Sequence, residues 1–228
     1  MKEAILYKKN PDGTVNCLLC NRFCKIPKGN TGFCGVRKNI SGSLYSINYG
    51  KAIALALDPI EKKPFYHFLP GAKTFSFATV GCNFRCQFCQ NWDISQQRDT
   101  IAGQDAPPER IVELAEAENS EGIAYTYTEP TIFMEYALDT AKLARKKKMF
   151  NVFVTNGYMS AQAIKEMEPV IDASRIDLKG FNSKFYSELV GGAKLEAVLS
   201  NINSLRKIMH IEIINLLIPG KNDSEDEL

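Results

Sequence analysis

Apolar and polar positions divide the chain into two parts, with the change near residue 74. From there on, short apolar runs alternate with longer segments in which apolar residues recur at helical spacing. The predicted strands cover residues 74–80, 122–127, 150–155, 175–178 and 211–218. The predicted helices cover residues 107–117, 131–148, 161–168, 183–189 and 195–209. This alternation is typical of βαβ units, so an α/β fold with a parallel sheet is expected.

The first 73 residues have a different pattern, with short β segments separated by turns. Ser41-Gly42 separates residues 37–40 from 44–49, which predicts a hairpin with glycine at the turn. A small apolar run at 52–57 ends at Asp58-Pro59. We therefore expect a cysteine-rich module at residues 1–40, a β-rich connecting segment at 41–73 and the α/β unit at 74–228.

Composition and charge narrow the function classes. The net charge is +2, which by itself indicates neither a nucleic acid nor an anionic membrane as partner. The first residues carry no apolar signal region, and no stretch approaches the length needed to cross a bilayer. Seven clustered cysteines suit metal binding better than disulfides, which predicts a cytoplasmic protein.

The most informative stretch is GCNFRCQFCQNW, directly after the first predicted strand of the α/β unit. Cys82, Cys86 and Cys89 stand there at the spacing C-x3-C-x2-C. Three thiolates in so short a loop can hold a cubane iron–sulfur cluster by three of its irons. The usual cluster takes four cysteines, so one iron would keep an open coordination position, as reactive metal centres do.

Two plainer interpretations of this loop are a zinc site and a set of buried apolar thiols. A zinc site normally needs four ligands, and no fourth cysteine or histidine lies nearby in the sequence. Buried apolar thiols are a second alternative, but Asn83, Arg85 and Gln87 between the cysteines do not resemble a core strand.

The spacing resembles the hallmark of the radical S-adenosylmethionine (SAM) superfamily. The resemblance implies a partial (β/α) barrel, with a 4Fe–4S cluster on these three cysteines and SAM bound to the open iron. One electron from the cluster would cleave SAM to methionine and a 5′-deoxyadenosyl radical. Phe88 matches the aromatic residue that the family places beside adenine.

Four further cysteines, Cys17, Cys20, Cys24 and Cys34, have the spacing C-x2-C-x3-C-x9-C among glycine-containing loops. Such a group can form a structural zinc site or a second cluster, and the sequence does not separate the two. Free thiols and a nucleic-acid-binding zinc ribbon are weaker alternatives.

Polar residues follow the later strands, where parallel α/β folds collect their functional side chains. The resemblance implies that Glu129 and nearby carbonyls accept hydrogen bonds from the SAM ammonium. It also implies that Thr155 and Asn156 contact the SAM ribose or carboxylate, and that Asp177 and Lys179 contact SAM or the substrate. The alternatives are a helix-terminal carboxylate, an ordinary Asn-Gly turn and a structural ion pair, respectively.

The closer resemblance covers nearly the whole chain and includes LCNRFC, GNTGFCGVRKN and IPGKND. These segments resemble the radical SAM member of the AmmeMemoRadiSam system, which is related to pyruvate formate-lyase activating enzyme. In that context the barrel looks truncated after strand five, and a naturally short open sheet is the alternative. Flavodoxin or ferredoxin would supply the electron, and an unknown protein or small molecule would lose a hydrogen atom. A non-catalytic iron–sulfur or zinc protein is the alternative class.

Overall fold

The computed structural model describes residues 1–97 and 100–227. The strands of this part are β1 Lys2–Glu3, β2 Tyr7–Lys9, β3 Val15–Cys17, β4 Lys25–Ile26, β5 Arg37–Ile40, β6 Ser43–Ser46, β7 Lys51–Ala52, β8 Ala54–Pro59, β9 Lys73–Ala78, β10 Gln104–Asp105, β11 Gly122–Tyr125, β12 Phe150–Thr155, β13 Ala173–Asp177 and β14 His210–Ile214. The α-helices are α1 Trp92–Ser95, α2 Pro108–Ala117, α3 Met134–Lys146, α4 Ala161–Met167, α5 Ser183–Glu188 and α6 Leu195–Leu205.

The main sheet has six strands in the order β14-β13-β12-β11-β9-β8. Five of them are parallel, with Gly122 paired to both Thr74 and Phe150. This confirms the parallel α/β sheet predicted from the sequence. The sixth strand, β8, pairs antiparallel with β9 along its whole length, from Ala54↔Ala78 to Pro59↔Lys73.

The position of β8 differs from the prediction of five strands. The apolar run at 52–57 was expected in a connecting segment, but its strand forms the edge of the main sheet. The short sequence separation from β9 explains this, because antiparallel neighbours need no crossover helix.

The two faces of the sheet are covered differently. On the outer face the rings of Phe77, Tyr125 and Phe153 contact one another along the sheet, and Phe77 also contacts Tyr136 of α3. The ring centroids are 4.9–5.2 Å apart for Phe77–Tyr136, Phe77–Tyr125 and Tyr125–Phe153. On the inner face Ala124, Val152, Val154 and Ala173 pack against Ile60, Phe65 and Ala72. Alternating side chains along each strand therefore form two separate apolar clusters.

The segment 60–72 crosses the inner face from β8 to the opposite edge strand. There the carboxylate of Glu212 in β14 accepts hydrogen bonds from the backbone N–H groups of Tyr66, His67 and Phe68 at 2.8–3.1 Å. We call residues 60–72 the floor segment, since they close one end of the concave side of the sheet.

The N-terminal residues form small antiparallel sheets, β2-β3-β4 and β1-β6-β5. The second contains the predicted hairpin, now bounded by Arg37–Ile40 and Ser43–Ser46. Arg37, 2% exposed, forms a bidentate ion pair with Glu135 of α3, with both N–O distances 2.8 Å. A buried charge requires such a partner, so this pair fixes how the N-terminal sheets pack on the α/β unit.

Several predicted boundaries move by a few residues. The predicted helix at 131–148 begins as a 3-10 turn, Pro130–Phe133, before α3. The predicted strand at 211–218 ends at Ile214, and α6 ends at Leu205 rather than 209. No helix in the described part of the chain is long and apolar enough to cross a membrane.

Candidate functional site

The carboxyl ends of the parallel strands open into one cavity of about 520 Å³. Its walls come from the loops after β9, β11, β12, β13 and β14, and its base comes from the floor segment. A cavity of this size accommodates a small-molecule ligand. The edge of the sheet at which these strands end is where α/β folds place their ligands.

The thiols of Cys82, Cys86 and Cys89 all lie on the wall of this cavity. They are close enough for their charges to act on one another. Burial raises the pKa of Cys86 to about 11 and raises the pKa of Cys82 well above its usual range. Thiolates at these positions therefore need compensating positive charge, which bound iron supplies.

The surroundings of Cys82 fit a negatively charged sulfur. The backbone N–H of Phe84 points to the Cys82 sulfur at 3.3 Å, and the amide nitrogen of Asn156 lies 4.0 Å from it. Asn83 is completely buried, and within the described residues its Nδ2 has no hydrogen-bond partner. The thiol of Cys82 lies 3.9 Å from Asn83 Oδ1, so the Asn83 amide is next to this sulfur. A buried donor without a partner in the cysteine loop fits a cluster whose sulfurs accept hydrogen bonds.

Gly81 determines how closely the cysteine loop approaches the N-terminal segment. Its φ is +97°, and a Cβ there would lie 2.7 Å from the carbonyl oxygen of Cys34 and 2.8 Å from Val36 Cγ1. A real Cβ does not approach other atoms so closely, so this position requires glycine. The loop therefore begins in direct contact with the N-terminal cysteine segment.

Arg22 extends that contact across the site. Its guanidinium donates to the backbone carbonyls of Asn83 (3.0 Å), Gly191 (2.9 Å) and Gly192 (3.0 Å). The same group stacks on the ring of Phe33 at 4.0 Å, and Arg85 stacks on that ring at 4.4 Å. One arginine thus joins the N-terminal segment, the cysteine loop and the loop after α5.

Glu129 is 1% exposed and follows β11. Its Oε1 accepts from Thr131 N (3.0 Å), Thr131 Oγ1 (2.5 Å) and Thr155 Oγ1 (2.7 Å), whereas Oε2 accepts from Asn156 N (2.8 Å). Burial raises the pKa of this carboxyl despite these hydrogen bonds. Glu129 lines the cavity and also caps the 3-10 turn, as its helix-terminal interpretation predicts.

Thr155 and Asn156 follow β12. Thr155 is held by Glu129, whereas Asn156 lines the cavity and donates to Asn83 Oδ1 at 2.7 Å. Phe88 also lines the cavity, with its ring 5.6 Å from that of Phe185. The structure therefore brings the residues predicted after β11 and β12 next to the cysteine loop.

Asp177 is the last residue of β13 and Lys179 comes two residues later. Both line the cavity. Their ion pair has an N–O distance of 3.1 Å. Burial lowers the pKa of Lys179, and the nearby thiols of Cys86, Cys82 and Cys89 oppose that shift. Lys179 therefore faces the cysteine loop.

A buried asparagine from the IPGKND segment fixes the loop after β14. The Asn222 amide donates to the backbone carbonyl of Lys179 at 2.8 Å and to that of Leu216 at 2.9 Å. The turn at 218–222 is thus tied to the backbone of Lys179. This contact also explains why β14 ends earlier than predicted.

A group of polar residues at the base of the cavity was not predicted from the sequence. Asp58 accepts hydrogen bonds from Lys62 and Lys63 at 2.7 Å each and from Tyr127 at 3.0 Å. Arg175 forms an ion pair with Asp177 and donates from Nε to the carbonyl of Lys63 at 3.3 Å. We call Asp58, Lys62, Lys63, Tyr127 and Arg175 the basal group.

The position of one member of the basal group could be predicted from the sequence. Arg175, Asp177 and Lys179 alternate with apolar residues, and a period of two places all three on one face of a strand. Lys62 and Lys63 could not be placed, because the floor segment has no periodicity that reveals where it folds. Asp58 and Tyr127 stand at the ends of predicted strands, but nothing local shows that their side chains meet.

The second cysteine group is also close-packed. The charges of Cys17, Cys24 and Cys34 act on Cys20, and burial raises the pKa of Cys34 to about 11. Next to Cys20, Asn21 donates from its side chain to the carbonyl of Met159 at 2.7 Å, so this segment packs on the loop after β12. Within residues 1–97 and 100–227, no three His, Cys, Asp or Glu side chains form a group that could hold a single metal ion.

A protein-family model described as the radical SAM superfamily matches residues 77–228. This range includes the three-cysteine loop and all five parallel-strand ends that surround the cavity. The chain belongs to the radical SAM superfamily. Members of this superfamily use a 4Fe–4S cluster and SAM, and the donor set around Cys82 fits such a group.

Relatives within the superfamily cover most of the chain. The uncharacterized protein MJ0808 of Methanocaldococcus jannaschii is 47% identical over 230 residues, which cover all of this chain and 68% of that protein. Pyruvate formate-lyase 1-activating enzyme of Escherichia coli K12 is 26% identical over 69% of this chain and 65% of its own length. A solved structure, TYW1 with a lysine-pyruvate adduct bound, has a TM-score of 0.48 and 20% identity over 65% of this chain and 57% of its own.

Proposed function

We propose that this protein is a radical SAM enzyme whose three-cysteine loop holds a 4Fe–4S cluster that cleaves SAM. The observation that carries the proposal is the convergence of Cys82, Cys86 and Cys89 on one cavity together with Asn156 and Glu129. When bound, the cluster and SAM supply a 5′-deoxyadenosyl radical, which abstracts a hydrogen atom from the substrate. The remaining task of the protein is to bind, orient and shield these groups.

Each predicted residue then has a role. Cys82, Cys86 and Cys89 bind three irons, and the N–H of Phe84 and the amide of Asn83 stabilise the negative sulfurs. The cluster needs this support, since buried thiols alone would stay protonated.

SAM contacts are assigned to the residues after the next strands. Glu129 accepts one hydrogen bond at Oε2 and three at Oε1, so we assign the SAM ammonium to Oε2. Asn156 contacts the carboxylate or ribose, and Phe88 lies beside the adenine. Thr155 acts through Glu129, because the Thr155 hydroxyl donates a hydrogen bond that fixes the orientation of the Glu129 carboxylate. Asp177 and Lys179 contact SAM or the substrate.

We further propose that this protein is related in function to the glycyl-radical activating enzymes. The E. coli relative supports it, and so does Asp177-Leu178-Lys179, which resembles the Asp-Leu-Lys sequence of those activating enzymes. The motifs around the N-terminal cysteines favour the AmmeMemoRadiSam group within that relationship. Flavodoxin or ferredoxin is the proposed electron donor, and a partner protein or a small molecule is the proposed hydrogen donor.

The N-terminal cysteines are proposed to bind zinc or a second iron–sulfur cluster. The mutual proximity of the four cysteines supports this assignment, although among the described residues their side chains do not form a single-ion site. Burial raises the pKa values of Cys20 and Cys34, so these thiols ionise only when a metal binds them. Elemental analysis of the anaerobically purified protein, comparing zinc with iron per chain, separates the two metals. Absence of both metals from the wild-type protein would contradict this assignment.

The cleavage assay tests the central proposal. The reconstituted protein, given dithionite and SAM under anaerobic conditions, is expected to release 5′-deoxyadenosine. Cys86→Ala is expected to abolish both the release of 5′-deoxyadenosine and the electron paramagnetic resonance signal of the reduced cluster. Gln87→Ala is the matched control, since Gln87 is exposed in the same loop. If the wild-type protein binds iron but leaves SAM intact, the non-catalytic electron-transfer class is favoured instead.

A further inference from the structure

The basal group and β13 together hold an excess of positive charge inside the cavity. Two carboxylates, Asp58 and Asp177, are shared among four cations, namely Lys62, Lys63, Arg175 and Lys179. Each carboxylate therefore binds two cations, and the two groups together carry two positive charges more than negative ones. The carbonyl of Lys63 joins them by accepting from Arg175 Nε.

Most of this charge is removed from water. The side chains of Lys63 and Arg175 are 3% and 10% exposed, whereas Lys62 is 67% exposed. Burial lowers the pKa of Lys63 and lowers that of Arg175 to about 10. Buried charge of one sign is costly unless a counter-charge joins it.

The other negative group in the cavity does not neutralise these cations. Glu129 is held by Thr131, Thr155 and Asn156, and its charge acts on Cys82 at the opposite end. Lys179 faces the thiols. The three cations at the base, Lys62, Lys63 and Arg175, therefore share Asp58 and Asp177 and exceed them by one positive charge.

The geometry of the base is fixed by its surroundings. Tyr127 has φ +62°, a conformation that is rare for residues other than glycine, and its hydroxyl bridges Asp58 (3.0 Å) and Lys63 (3.1 Å). Its ring also lies 4.3 Å from Lys63 Nζ. Asn91, next to the cysteine loop, donates to the Tyr127 carbonyl at 2.7 Å. Strained residues persist where the fold over-determines them, which is frequent at ligand sites.

From this arrangement we infer that the base of the cavity binds a small anionic substrate through a carboxylate or phosphate group, with Arg175 and Lys63 as its binding residues. The inference rests on the proposed function, since it assigns the substrate class of the same site. Arg175 supplies the planar donor array that suits carboxylates and phosphates. The floor segment closes this end of the cavity, so a compact molecule fits there better than a protein loop.

Calorimetric titration of the reconstituted full chain tests the inference with succinate, inorganic phosphate and the neutral analogue succinamide. At least one of the two anions is expected to bind at least tenfold more tightly than succinamide. Lys63→Met and Arg175→Met are each expected to weaken that binding about tenfold or more, as loss of a charged hydrogen bond does. Lys165→Met, at an exposed position on α4, is the matched control and is expected to bind like wild type.

Three outcomes would overturn the inference. These are failure of both anions to bind, equal binding of succinamide, and competition between the bound anion and SAM, which would assign the cations to SAM itself. If a variant fails to fold, the comparison of charged and neutral probes on the wild-type protein still decides. The 5′-deoxyadenosine assay is read separately, so loss of SAM cleavage with retained anion binding contradicts only the proposed function.

Discussion

Gly81→Ala tests whether the cysteine loop depends on its close contact with the N-terminal segment. The added Cβ would lie 2.7 Å from the Cys34 carbonyl oxygen and 2.8 Å from Val36 Cγ1. Neither a backbone oxygen nor a buried valine can move away freely, so one of the two segments must shift. The substitution also places alanine at φ +97°.

The matched control is Gly42→Ala in the β5–β6 hairpin. Gly42 has φ +88°, and nothing lies within 4 Å of an added Cβ. Both variants therefore carry the backbone strain, roughly 1–2 kcal/mol. Only Gly81→Ala adds steric overlap, which costs about 1–3 kcal/mol in a packed interior. We expect its total loss of unfolding free energy to be about 2–5 kcal/mol.

Urea unfolding followed by circular dichroism measures both variants, and iron content after reconstitution provides a second readout. Gly81→Ala is expected to lose more stability than Gly42→Ala by at least about 1 kcal/mol and to bind less iron, because Cys82 is its neighbour. Equal stability losses in the two variants, together with full iron content in Gly81→Ala, would refute the argued contact.

Three further predictions concern charged side chains that are paired or hydrogen-bonded in the fold. Glu135→Gln leaves the buried Arg37 without its counter-charge and is expected to cost about 3–5 kcal/mol in urea unfolding, whereas the double variant Arg37→Met/Glu135→Leu should lose much less. Arg22→Met removes three hydrogen bonds to backbone carbonyls; faster amide exchange across residues 81–85 and 189–192 is expected, with the exposed Arg206→Met as control. Burial opposes ionisation of Asp58, but hydrogen bonds from its two lysines outweigh it and hold its pKa at about 2 instead of 3.8. The stability that Asp58 contributes is therefore complete above pH 4 and is lost as the pH falls toward 2, so Asp58→Asn should lose less stability than wild type between pH 5 and pH 2.5.

The candidate site shows where sequence reasoning stops. Cys82, Cys86 and Cys89 could be grouped from spacing alone, because only a few residues separate them. Asp177 and Lys179 could be placed on one side of a strand from the period of two, and the same rule reaches Arg175. Lys63 could not be placed, since its cavity position depends on a floor segment that crosses the whole sheet.

A similar limit applies to Glu129. Its place after β11 follows from the chain, whereas its hydrogen bonds to Thr155 and Asn156 depend on the parallel pairing of β11 with β12. Glu129 therefore both caps the 3-10 turn and lines the cavity. From the sequence alone, these two roles were alternatives.

The sequence by itself determined the features that depend on neighbours along the chain: the alternating strands and helices, the hairpin at Ser41-Gly42 and the two cysteine groups. Local periodicity and turn chemistry act over a few residues, so they can be read directly. The tertiary structure decided which distant segments meet. It placed β8 at the sheet edge, the floor segment beneath the cavity and the N-terminal cysteine segment against Gly81. Those contacts depend on buried charge pairs and on complementary shape between segments far apart in the chain, and no local pattern encodes either.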